Sequence, residues 1–262
     1  MPLTPYQAEV ARLLSAQRTP DSYLAGGAAL HLQPNTLRFS NDLDYFNDSP
    51  ARVASAFDAD RFALSSAGHE VTTLLERPGF VRSIVSRGDQ STKVEWVYDT
   101  AFRFLPVLED PLVGYVLHPI DLAINKVLAL VGRDEPRDYL DTIDAHGRIL
   151  GLGGIVWAAC GKDPGFTPLM LLDLLRRKGR YRPEDFSRLA LRVPPNLQEA
   201  KRAWLDALES ASAFVAARPV EEIGCLYYSA QKGSFSGELP LPHDIAPHFG
   251  RPGGLLPLVG DP

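Results

Sequence analysis

The chain has 262 residues, 45% hydrophobic and 23% charged, enough to bury one large core or two modest ones. Its formal net charge of -5 and pI near 5.7 argue against indiscriminate binding of nucleic-acid phosphates. No apolar run reaches membrane-spanning length, the N-terminus MPLTPYQAEVARLL lacks the charged start and cleavage site of a secretory signal, and Cys160 and Cys225 have no metal-ligand spacing, so a cytoplasmic protein with two buried thiols and no membrane partner is expected.

In chain order, the pattern predicts an opening helix over about residues 4–18, then alternating strand and helix signals to about residue 105. The runs EVTTLLE, FVRSIVSR and TKVEWVY read as strands. From residue 119 onward helical spacing dominates, in Thr167 to Leu175 and again in Leu197 to Val215, where Trp204, Leu208 and Phe214 are the expected packing residues. After about residue 229 the composition turns rich in Pro and Gly, which predicts an extended or partly disordered arm held by Leu241, Phe249 and Leu255.

Residues 22–46, SYLAGGAALHLQPNTLRFSNDLDYF, concentrate the chemistry. The apolar run Tyr23, Leu24, Ala25 precedes Gly26-Gly27, and the helix-compatible AALHL follows, so the glycines fall where a strand turns into a helix. Such a turn lets the backbone approach a triphosphate, with the N-H groups of the following helix aimed at it. In Leu43-Asp44-Tyr45-Phe46 a strand is expected, which puts Asp42 and Asp44 on one face. Two carboxylates that close repel each other unless a cation lies between them, and Mg2+ (or Mn2+) suits their hard oxygens. A solvated turn opened by Asn41-Asp42 is the plainer alternative.

The pattern Gly26-Gly27-Ala28-Ala29-Leu30, then Arg38-x-Ser40-x-Asp42-Leu43-Asp44-x-Phe46, resembles the AbiEii/AbiGii group of nucleotidyltransferase-like toxins, relatives of DNA polymerase beta in fold. Residues 119–141, PIDLAINKVLALVGRDEPRDYLD, resemble the helical signature of that group through Lys126, Arg133, Asp138 and Asp141. The likeness spans roughly residues 20–150. It implies an α/β (α+β) nucleotidyltransferase core with a mixed sheet over 1–115, a mainly helical domain over 116–228 that completes the active site, and the Pro/Gly-rich arm over 229–262.

The resemblance also implies a third acid from a later strand, and Glu95 in TKVEWVY is the candidate. On that strand Glu95 and Lys93 share one face and Val94 and Trp96 the other, so Glu95 could ligate a metal or act as a base. Lys126 lies in a segment apolar nearly all round, where a lysine needs a partner. The resemblance makes that partner a triphosphate; snorkelling to the surface, or pairing with Asp121 or Glu135, is the alternative. Pro136 suits a first helical turn, with Asp138 and Asp141 one turn apart and Arg137 placed to pair with Asp141. In the resembling group one aspartate of this element joins the active site, to hold the lysine or orient the acceptor, and the spacing from Lys126 favours Asp141, with capping or surface pairing the alternative for Asp138. Ser40 shares the face of Asp42 and could contact nucleotide, and Arg38 could clamp phosphate or lie solvated in its loop.

Arg176, Arg177, Lys178, Arg180 and Arg182, with Tyr181 among them, form the one dense basic cluster, either a solvated helix end or a guide for an RNA acceptor such as tRNA. The implied reaction is attack of an acceptor hydroxyl on the α-phosphate of an NTP, with pyrophosphate leaving. The implied role is the toxin of a toxin-antitoxin pair, with a cognate antitoxin as a further partner. A small-molecule nucleotidyltransferase and a non-catalytic nucleotide-binding module are the alternatives.

Overall fold

The computed structural model describes residues 3–32 and 36–257; part of the loop ahead of the acid pair and the end of the expected arm lie outside the described residues. The chain divides into two compact units, Met1–Phe102 with Pro106–His118, and Arg103–Leu105 with Pro119–Pro262.

The first unit is built on a seven-stranded mixed sheet. Its strands are β1 (Ser22–Ala25), β2 (Asp42–Asn47), β3 (Glu70–Arg77), β4 (Phe80–Arg87), β5 (Gln90–Tyr98), β6 (Leu108–Asp110) and β7 (Gly114–Val116), in spatial order β3-β4-β5-β2-β1-β7-β6. β2 pairs antiparallel with β1 but parallel with β5. A parallel neighbour needs a crossover, and helix α3 (Pro50–Ser66) followed by the β3-β4 hairpin supplies it. Helix α1 (Pro5–Ser15) starts at a capping box between Thr4 and Gln7, and α3 at Ser49, whose side chain accepts from the Arg52 N-H.

The period-2 alternation of β2 and β5 sorts their side chains. Leu43 and Tyr45, with Val94 and Trp96, are fully buried, and the Trp96 ring meets Phe57 of α3 edge-on with centroids 5.0 Å apart. An ion pair lies in this apolar layer: Arg18 donates to both oxygens of Asp60 at 2.5 and 2.6 Å, Trp96 Nε1 donates to Asp60 at 2.6 Å, and the guanidinium sits 4.4 Å above the Tyr45 ring. With both partners fully buried, the pair tolerates loss of neither. It ties α3 to β5 and leaves the alternate residues of both strands for the opposite face.

The second unit is mainly helical: α4 (Pro119–Arg133), α5 (Pro136–Arg148), α6 (Leu152–Lys162), α7 (Pro168–Arg176) and α8 (Leu197–Ala216). The sequence of α6, LGGIVWAACGK, is apolar all round, and nine of its residues are buried against its neighbours. The expected packing residues Trp204, Leu208 and Phe214 are buried on α8. The expected C-terminal arm is instead partly sheet. Strands β8 (Cys225–Ser229), β9 (Ser234–Ser236) and β10 (Ile245–Phe249) pair antiparallel in the order β9-β8-β10. Pro247 is tolerated because β10 is an edge strand, where a missing N-H breaks no ladder. The α/β class expected from the sequence, a mixed-sheet unit followed by a mainly helical one, holds.

Candidate active site

Gly26 opens helix α2 (Gly26–Leu30) directly from the end of β1, with a positive φ of 62°. A Cβ at this position would lie 1.9 Å from Asp44 Oδ2, 2.7 Å from its Cγ and 2.9 Å from its Cβ. Glycine is therefore required twice over, by backbone conformation and by the carboxylate packed against it. Gly27 has an ordinary φ, and a Cβ there would meet Arg38 Nη2 and Ser40 Oγ at 3.0 Å. The glycines belong to the helix rather than preceding it. At five residues α2 is too short to add much macrodipole, so the expected attraction of a helix N-terminus for phosphate has little to act through here.

Asp44 pairs across from Ala25 on β1 and from Glu95 on β5, and Asp42 from Lys93. This register brings three carboxylates together: ligand atoms of Asp42, Asp44 and Glu95 all lie within 4.8 Å of one another. Asp42 is 8% exposed and the other two are half-buried. Ser40, buried, donates its hydroxyl to Asp42 Oδ1 at 2.9 Å. Arg38 is also buried, against the alternative of a solvated loop arginine, and donates to the Phe39 carbonyl at 3.1 Å.

Lys93 and Arg82 bring positive charge to this cluster. Lys93 Nζ lies 2.9 Å from Asp42 Oδ2 and 3.1 Å from Glu95 Oε1, and Arg82 Nε donates to Glu95 Oε1 at 2.8 Å. Burial lowers the Lys93 pKa, but hydrogen bonds to Asp42 and Glu95 and their charges outweigh it, leaving the ammonium above its ordinary value. The sequence places Lys93 on the face of Glu95. It does not show that Asp42 stands opposite, because the β2-β5 register is not local information.

The second unit has its own charged cluster. Lys126, 6% exposed on α4, donates to Asp138 Oδ1 at 3.1 Å and lies 2.8 Å from Asp141 Oδ2. Neither Asp121 nor Glu135 is its partner: the one-turn spacing of Asp138 and Asp141 on α5 turns both carboxylates to the same ammonium. Arg133 grips Asp138 with two hydrogen bonds of 2.6 and 2.9 Å. Burial pushes the Asp138 carboxyl up, and the pull of Arg133 and Lys126 more than offsets it, so its pKa lies below the ordinary range. The expected Arg137–Asp141 pair does not form, and Arg137 Nε is buried without a hydrogen-bond partner. Asp121 instead accepts the backbone N-H groups of Phe104 and Leu105.

The basic cluster after α7 is largely engaged within its own unit. Arg176 donates to Ser212 at 2.9 Å, Arg177 pairs with Asp173 one turn back, and Lys178 lies 3.5 Å from Asp134, which also accepts the Tyr181 hydroxyl.

No protein-family model matches the sequence, and no curated protein matches it either. Solved structures do. The chain is similar to MenT4, a nucleotidyltransferase toxin from Mycobacterium tuberculosis H37Rv, with a TM-score of 0.57 and 18% identity, covering 82% of this chain and 83% of that one. It is also similar to JHP933 from Helicobacter pylori, with a TM-score of 0.51 and 16% identity, covering 80% of this chain and 91% of that one. At such identities the likeness is one of fold, and the fold is that of a nucleotidyltransferase.

Proposed function

We propose that this chain is a metal-dependent nucleotidyltransferase, the toxin of a toxin-antitoxin pair, which transfers NMP from an NTP to an RNA acceptor such as tRNA. The observation that carries the chemistry is the convergence of Asp42, Asp44 and Glu95 within 4.8 Å of one another, beside a glycine whose Cβ would collide with Asp44. The donor set fits Mg2+ or Mn2+, since all three groups offer hard carboxylate oxygens within 4.8 Å of one another. A bound divalent ion would supply Lewis-acid stabilisation of charge on the transferring phosphoryl group.

The chain's own residues do the rest. Asp42, Asp44 and Glu95 are the proposed ligands, and Ser40 orients Asp42 through its 2.9 Å hydrogen bond. Gly26 and Gly27 leave the backbone bare for a triphosphate, with Arg38 beside Gly27 as a source of positive charge. Lys126 is the proposed phosphate contact of the second unit, and Asp138 and Asp141 hold its ammonium in place. An acceptor hydroxyl attacks the α-phosphate, a new P–O bond forms to the acceptor, the α–β anhydride bond breaks, and pyrophosphate leaves.

The toxin role, a cognate antitoxin and a cytoplasmic setting rest on the resemblance to the AbiEii/AbiGii group and on the fold shared with MenT4. One observation favours a second reading, a small-molecule acceptor: the net charge is -5, and the basic cluster at 176–182 is largely paired within its own unit.

The test incubates the protein with labelled NTPs, Mg2+ and either total RNA or a panel of small hydroxyl acceptors. Label should pass to RNA, stop with a chelator, return with Mg2+ or Mn2+, and fall below detection in Asp42→Ala and Asp44→Ala. Equal transfer by wild type and both variants would refute the proposed chemistry. Label passing only to small acceptors would refute the RNA reading alone.

A further inference from the structure

We infer that Lys93 is a positioning residue of the acid cluster, a tethered cation that holds Asp42 and Glu95 together and competes with a divalent ion for them. This rests on the reading of the three carboxylates as a metal site, and it assigns a task to a residue outside that ligand set. Lys93 stands directly across from Asp42 on the neighbouring parallel strand and two residues before Glu95 on its own. Its ammonium therefore reaches one carboxylate on each strand, at 2.9 and 3.1 Å.

Asp42 and Glu95 have side chains 12% exposed, and that of Lys93 is 33% exposed, so the pairing is partly withdrawn from water. Both oxygens of Asp42 are engaged, Oδ1 by the Ser40 hydroxyl and Oδ2 by Lys93. An ion that draws on Oδ2 must share it with the lysine or displace it. The charges point the same way: removal of Lys93 takes one positive charge away from the three carboxylates. Arg82 cannot replace Lys93, since it lies opposite Glu95 and reaches that carboxylate alone among the three. The consequence is a cluster that keeps its geometry with no ion bound and draws a free divalent ion weakly.

The test is a titration of the free protein with Mn2+, followed by the electron paramagnetic resonance signal of unbound ion and needing no nucleotide. Lys93→Met removes the charge and keeps the length of the side chain; it should bind Mn2+ about tenfold more tightly than wild type, or more. Lys93→Arg keeps the charge and should stay near wild type. Lys93→Gln supplies the neutral variant if Lys93→Met does not fold, as judged by near-UV circular dichroism. A neutral variant that binds Mn2+ no more tightly than wild type overturns the inference. Asp44→Asn separates this outcome from failure of the metal-site reading. If Asp44→Asn weakens Mn2+ binding while Lys93→Met leaves it unchanged, the metal site stands and the role of Lys93 falls. If Asp44→Asn has no effect on Mn2+ in either background, the ion binds elsewhere and both fall.

Discussion

Replacement of Gly26 by alanine tests the close approach on which the proposed site depends. The residue has φ 62°, so a side chain there carries a left-handed backbone penalty of roughly 1–2 kcal/mol. The new methyl would also lie 1.9 Å from Asp44 Oδ2, when ordinary contact begins near 3.4 Å. The carboxylate must therefore retreat by about 1.5 Å, a scale at which misplaced catalytic groups lose about a hundredfold in rate. Rotation about χ1 moves Oδ2 and Cγ but not Cβ, which itself stands 2.9 Å from the new atom, so strand β2 is pushed as well. Overpacking of this kind adds roughly 1–3 kcal/mol, and the melting temperature should fall by roughly 5–10 °C. Nucleotidyl transfer with Mg2+ should drop at least as far as the hundredfold estimate, approaching the loss in Asp44→Ala. Gly27→Ala is the comparison: its φ is ordinary and its nearest contacts are side-chain ends of Arg38 and Ser40 at 3.0 Å, with no backbone or carboxylate in the way, so its loss of transfer should stay below that of Gly26→Ala. A folded Gly26→Ala protein that transfers nucleotide as fast as wild type would refute the reasoning.

Asp138→Ala strips a fully buried carboxylate from Lys126 and from a two-point grip by Arg133, and should cost about 3 kcal/mol by urea denaturation with an unchanged m-value; a loss under about 1 kcal/mol would show the cluster to be dispensable for stability. Asp121 gives a pH dependence of definite sign. Burial raises its carboxyl to about 6 despite two backbone N-H donors, so its contribution to stability is fully present below the ordinary value of 3.8 and is lost as pH rises through about 6. Thermal melts of Asp121→Asn should lack that component of the slope between those values, and slopes identical to wild type would contradict it.

Much of the proposed site could be read locally. Gly26-Gly27 and Asp42-x-Asp44 stand within a single stretch of chain, and the alternation of TKVEWVY correctly separates Glu95 and Lys93 from Val94 and Trp96. What brings these pieces together is the parallel register of β2 on β5, between segments separated by a helix and a hairpin, and no local pattern encodes it. Lys93 was thus visible as a neighbour of Glu95 but not as a partner of Asp42. The resemblance anticipates that an aspartate of the next helix holds Lys126; that both Asp138 and Asp141 do so, in place of Asp121 and Glu135, which are nearer in sequence, follows from the turn between α4 and α5 that folds them back. The tail misled through its composition. Its Pro and Gly residues mark turns between short strands, and the apolar Cys225, Leu226 and Tyr227 give those strands a buried partner.

The parallel β2-β5 pairing also sets an order of events. Asp44 and Glu95 face each other across neighbouring strands although about fifty residues of chain separate them, and a contact that distant forms only after the intervening loop closes. A chain made from its N-terminus exposes Asp42 and Asp44 early, while the strand carrying Lys93 and Glu95 can dock only after it has emerged as far as Tyr98. Until then Asp42 and Asp44 lack their third partner, and Asp42 lacks the lysine that joins it to Glu95. Completion of the sheet is thus the moment at which the acid cluster comes into being.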